Sequence, residues 1–68
     1  MTKERFRAIC IAVYGHEHWI RDVSRDLGKS HTTVWRWVKT NRIPQAMALA
    51  VERIGAKHGK DEADYYGT

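Results

Sequence analysis

A single cysteine, Cys10, in a chain of 68 residues has nothing to pair with, so no internal disulfide staples the domain, which suits a reducing cytosol. No apolar run approaches the roughly 20 residues a bilayer-spanning helix needs. The opening MTKERFRAIC has no hydrophobic core of the kind a secretory signal carries. These absences lead to the expectation of a cytoplasmic protein with no membrane partner. Repeats, low-complexity tracts and composition breaks are also missing, which leaves one domain with one small core. Such a core is marginal unless packing is exceptional or copies associate. A large catalytic cleft does not fit in so short a chain, and no enzymatic activity is expected. His16, Glu17 and His18 stand together, with His31 and His58 elsewhere. A His-x-His at a helix junction lacks the four-residue helical spacing of a zinc protease site, and there is no cysteine pair. Neither a metal nor another cofactor is expected. Cys10 falls on an apolar helical face, a packing position rather than a nucleophile's.

Acid is missing where base is present. The net charge is +4, yet the stretch Leu27 to Val51 holds no Asp or Glu while it contains Lys29, Arg36, Lys39 and Arg42. Asp61, Glu62 and Asp64 lie in the tail instead. A basic, acid-free segment of this kind is the footprint expected for phosphate contacts.

Apolar spacing predicts an all-α fold, a compact domain of four helices over residues 1–59 followed by a short flexible tail, 60–68. The first helix runs from about Lys3 to Tyr14, with Thr2 as its cap, Phe6, Ile9, Cys10 and Val13 inward, and Gly15 at its end. The second begins at Glu17 or His18 and runs to Leu27, with Ile20, Val23 and Leu27 as its stripe and Ser24 small enough to admit a close neighbour. The third covers about His31 to Thr40. Pro44 suits the first turn of a fourth, with Met47, Val51 and Ile54 inward and Gly55 or Gly59 ending it. Ile11, Leu49 and the tail tyrosines fit none of these stripes. Leu49 with Ala46 and Ala50 forms a dimer patch if exposed, or the last helix wraps more fully into the core.

The run LGKSHTTVWRWV, Leu27 to Val38, is the most informative segment. Gly28 stands where the second helix must stop, because glycine takes the left-handed conformation without a steric penalty. Ser30 is a favoured N-cap for the third helix, expected to accept from the amide of Thr32 or Thr33. Val34, Trp37 and Val38 share one face, and His31, Thr32, Thr33, Trp35, Arg36 and Lys39 fall largely on the other. Two short helices joined this tightly make a helix-turn-helix over about residues 20–39, with the second helix free to protrude toward a DNA major groove.

Over Ala12 to Ile54, the chain resembles the small helix-turn-helix proteins of phages, prophages and mobile elements, distant relatives of the lambda-repressor and Cro type. The pattern is carried by Tyr14-Gly15, Trp19, Arg25-Asp26-Leu27-Gly28, Thr33-Val34, Arg36-Trp37 and Ile43-Pro44. The resemblance implies sequence-specific binding to duplex DNA through the third helix, as a repressor or autoregulator in the bacterial cytoplasm or nucleoid. Three positions depart from it. Trp35 replaces a basic or small polar residue. Thr40-Asn41 stand where a glycine is usual, though Asn tolerates a left-handed backbone. Ile20 occupies a place often held by a phosphate-touching glutamine, which leaves that contact to Arg21 or to the amides of the helix start.

The expected DNA-contacting set is Arg21, Lys29, Ser30, His31, Thr32, Thr33, Trp35, Arg36, Lys39 and Arg42. Arg36 is the candidate for a bidentate guanine contact, and Lys29 and Arg42 flank the helix to grip backbone. Trp19 and Trp37 face inward as core. Trp35 faces outward, where it packs on thymine methyls or sugars, inserts at a flexible step, covers the edge of the fourth helix, or meets a partner protein. The expected partners are an inverted-repeat operator and a second copy of the chain. A protein-interaction module, such as an antitoxin anchored through Trp35 and Tyr65-Tyr66, is the alternative from another class. An excisionase-like architectural factor is a further one.

Overall fold

The computed structural model describes residues 1–66, apart from the side chains of Glu62 and Tyr66. Its five helices are α1 (Lys3–Tyr14), α2 (Trp19–Leu27), α3 (His31–Thr40), α4 (Gln45–Lys57) and α5 (Glu62–Tyr66), with no strand among the described residues. Local chemistry sets most of the boundaries. The Thr2 hydroxyl accepts from the Arg5 amide at 3.2 Å, satisfying a donor that the first turn of α1 leaves without an intrahelical acceptor. Pro44 stands one residue ahead of α4, and its carbonyl accepts the amides of Met47 at 3.0 Å and Ala48 at 2.9 Å. Proline's missing N–H costs nothing at such a place.

Every other helix packs on α1. Phe6, Ile9 and Cys10 on its expected stripe are buried, and they meet Trp19 and Val23 of α2, Val34 of α3 and Val51 of α4 in one cluster. Phe6 and Trp19 meet edge to face with ring centroids 6.3 Å apart, the arrangement aromatic quadrupoles favour. A salt bridge of 3.0 Å between Arg5 and Glu52 ties α1 to α4 at the surface, where such a pair adds at most about 1 kcal/mol. Tyr14 donates to Asp26 at 2.6 Å and so joins the C-terminal ends of α1 and α2.

Several expectations need correction. Residues 62–66, read from the sequence as part of a flexible tail, form α5, which packs along α1. Gly67, Thr68 and the Tyr66 side chain lie outside the described residues. Ile11 had no place in the first stripe, yet it is buried, as is Ala8. Both lie on the side of α1 away from Phe6, and α5 supplies the cover that a four-helix arrangement lacks. Tyr65 packs against the core edge and approaches the His16 ring at 5.7 Å. In α4 the inner positions belong to Ala48, Val51 and Gly55, and Met47 and Ile54 are only half-buried. Gly55 does not end α4. A Cβ there would stand 2.7 Å from the Lys60 carbonyl oxygen and 3.1 Å from Ile9 Cγ2, so the close approach of α1 and the turn into α5 demands glycine. Leu49 is 48% exposed, with Ala46 beside it also exposed. Among the described residues, no helix is long and apolar enough to cross a membrane.

Burial pushes the Cys10 thiol up from 9.0 to about 12. The Tyr14 hydroxyl is also raised from its ordinary 10.0, first by burial and then by its bond to Asp26. In the unfolded chain both groups ionise at their ordinary values, so the folded state holds protons that the unfolded state has lost. Their stabilising contribution is complete below the unfolded values and disappears as pH rises toward the folded ones. The denaturation midpoint should therefore be steady up to about pH 8 and fall between about pH 9 and 11. Cys10→Ala should flatten part of that fall, and a midpoint indifferent to pH across the window would contradict the burial of both groups.

Candidate nucleic-acid interface

The turn between α2 and α3 is three residues long, Gly28-Lys29-Ser30. Gly28 has φ 71° and ψ 30°, the left-handed region that strains any residue with a Cβ. The closure is made by Gly28 N–H to the Arg25 carbonyl at 3.2 Å and Lys29 N–H to the Ser24 carbonyl at 2.9 Å. Ser24 is buried, and its hydroxyl donates back to the Arg21 carbonyl at 2.8 Å, which satisfies it within α2. Ser30 opens α3, its hydroxyl oxygen accepting from the Thr33 amide at 3.2 Å. The two hydroxyls of Ser30 and Thr33 also lie 2.8 Å apart. Ser30 and Thr33 thus spend much of their hydrogen-bonding capacity on the helix start.

At its other end α3 stops on Asn41, at φ 56° and ψ 37°, the left-handed position expected of it. Asn41 does more than turn the chain. Its Oδ1 accepts from the Lys3 amide at 2.9 Å, so one side chain ends α3 and satisfies the start of α1. This bond between residues 38 apart sets the N-terminal end of α1 beside the C-terminal end of α3.

With α3 held at both ends, Val34 is buried and Trp37 and Val38 are half-buried against the core. Thr32, Trp35, Arg36 and Lys39 are exposed, as are His31, Ser30, Lys29 and Arg42 around them, and Thr33 is half-buried. By helical angle Thr32 and Arg36 stand at the crest opposite Val34, and His31, Trp35 and Lys39 line one flank. Arg21 is exposed on α2 and shares a groove of about 320 Å³ with His18, Ile20, His31 and Trp35. All ten residues expected to contact DNA therefore belong to α3, its flanking turns, or the start of α2.

Trp35 is 49% exposed, with the Lys39 ammonium 4.8 Å from its ring centroid, a cation–π distance. Trp35 lines grooves toward α1 and α2. Across the α1 groove stand Lys3 and Arg7, two cations that sequence reading missed. No local pattern links them to α3, since only the folded contact with α1 brings them there. The carboxylates bordering these grooves are Glu4 and Glu17. Of the acids on α2, Asp22 lies 3.7 Å from Arg25 and Asp26 accepts from Tyr14. Among the described residues, no three His, Cys, Asp or Glu side chains gather where they could hold a metal ion.

The resulting surface is an exposed helix face with a hydroxyl and a guanidinium at its crest and an aromatic–cation pair on its flank. Such groups can hydrogen-bond base edges, pack on sugars and neutralise phosphates. No protein family, curated protein or solved structure matches this chain.

Gly28→Ala should cost about 1–2 kcal/mol through backbone strain alone, because nothing lies within 4 Å of the added Cβ. Ser30→Ala should cost about 1 kcal/mol through the lost cap. Urea denaturation of both variants checks this, and two losses within about 0.5 kcal/mol of zero would show that the turn does not hold the helix pair.

Proposed function

We infer that this protein is a sequence-specific, double-stranded DNA-binding regulator that reads a major groove with α3 and acts as a small dimer. The observation that carries the reading is the outward face of α3. Thr32, Arg36 and Lys39 are exposed together on the helix that follows a three-residue turn, within a segment, Leu27 to Val51, that contains no acid. Arg36 supplies a guanidinium fork for guanine, Thr32 and His31 reach neighbouring base edges, and Lys29, Arg42 and Arg21 neutralise backbone phosphates. Size favours two copies. The longest dimension of the fold is 28 Å, and successive major-groove faces on one side of a duplex lie about 34 Å apart. One chain therefore covers one half-site, and a second copy is needed to read an inverted repeat. A protein this small regulates by occupying a promoter, which agrees with the repressor or autoregulator role implied by the resemblance.

The second reading, a protein-interaction module, has one specific observation in its favour. Trp35 is about half exposed and borders two grooves, and a partly exposed tryptophan beside a groove is a favoured anchor for a protein partner.

Selection from a randomised duplex pool at physiological salt tests the first reading, which expects an enriched inverted repeat. Arg36→Ala should then cost about 1–3 kcal/mol on the selected site and relax preference at one base pair. Lys39→Ala should weaken all duplexes alike and reduce the log–log salt slope by about 0.9. An unenriched pool, with the chain retained instead by a protein partner, would move the assignment to the second reading.

A further inference from the structure

We propose that the cleft between α1, α3 and α5 is a binding site for a small planar aromatic anion. Its volume is about 480 Å³, within the size range of small-molecule sites. Buried Ala8 and half-buried Val38 give it an apolar bottom, and Trp35 and Tyr65 both line it. Aromatic rings in such positions favour a flat aromatic guest over a branched aliphatic one. The charge is one-sided. Among the described residues, Lys3, Arg7 and Lys39 border the cleft against one carboxylate, Glu4, so an anionic substituent finds charge-assisted donors on more than one side. The Asn41 bond to the Lys3 amide fixes the main chain from which the Lys3 side chain springs, and the Lys39 ammonium is placed over Trp35. The cleft bottom is set back from the crest formed by Thr32 and Arg36. A duplex meeting that crest reaches Trp35 and Lys39; Ala8, only 2% exposed, lies beneath the cleft and registers an occupant through its amide signal rather than by open contact.

Aromatic carboxylates and nucleoside monophosphates share the required chemistry, a flat ring bearing an anion. Trp35 and Lys39 belong both to this cleft and to the surface assigned to DNA, so an occupied cleft competes with DNA for them. The competition rests on the DNA-binding reading; the site itself does not.

The test is titration of the full isotope-labelled chain with indole acetate and, separately, adenosine monophosphate, followed through amide and tryptophan indole NMR signals. One or both anions should shift Ala8, Trp35 and Val38 saturably, and which of them does so separates a carboxylate source from a phosphate one. Neutral indole should bind about tenfold more weakly, and Arg7→Gln should weaken the anion about tenfold while leaving signals far from α1 in place. Lys3→Gln serves if the Arg7 variant loses its folded spectrum. No saturable shift from either anion, shifts scattered over all basic residues, or equal binding of neutral indole would each overturn the proposal. Saturable anion binding by a chain that retains no duplex DNA would leave the cleft standing and remove the DNA reading. Duplex binding with no saturable anion would do the reverse.

Discussion

The fold depends on the burial of α1. Among the described residues it is the one helix that touches every other, and the fully buried Phe6 and Cys10 on it share a cluster with Val23, Val34 and Val51 from three further helices. In a chain this short there is no second core to compensate, so each neighbour of α1 takes a share of a small total of apolar burial. The consequence for α5 is direct. It has only five residues, far below the length at which an isolated helix holds itself together. Its order comes from packing on α1, over a face that carries Ala8 and Ile11.

The same constraint shapes the candidate site. With Val34 committed to the core, the remaining angular positions on α3 are decided, and Arg36 and Thr32 have to face outward. Trp37 and Val38 secure the two sides of the inward face, which leaves Trp35 as the large apolar residue the core does not absorb. Its exposure is offset locally by the Lys39 ammonium and by the grooves on either side of it. Ser30 caps the start of α3 locally, and Asn41 ties its end to the first residue of α1.

Much of this was legible in the residues themselves. Gly28, Ser30 and Asn41 reveal the ends of α2 and α3 because capping is a local matter, decided by backbone conformation and by a hydroxyl or amide within three residues. Phe6, Val23, Val34 and Val51 disclose the core because a period of 3.6 separates inner from outer positions. Legibility failed where the answer depended on a distant partner. Gly55 looked like a helix stop, but it is a contact point for Ile9 and the Lys60 carbonyl. Ile11 looked misplaced because the helix packed on that side of α1, α5, is made of two acids, an alanine and two tyrosines, with no apolar stripe of its own. In the site, the exposed set on α3 could be counted from the sequence, and Lys3 and Arg7 could not.

By itself, then, the sequence determined the all-helical architecture, the three-residue turn and which side of α3 is basic, since each follows from interactions spanning four residues or fewer. The tertiary structure alone decided that α1 lies at the centre, that the C-terminal segment folds back on it, and that Lys3, Arg7 and Tyr65 gather beside Trp35. Those arrangements arise from competition among helices for a limited apolar surface. Its outcome depends on shapes and distances that no local pattern encodes.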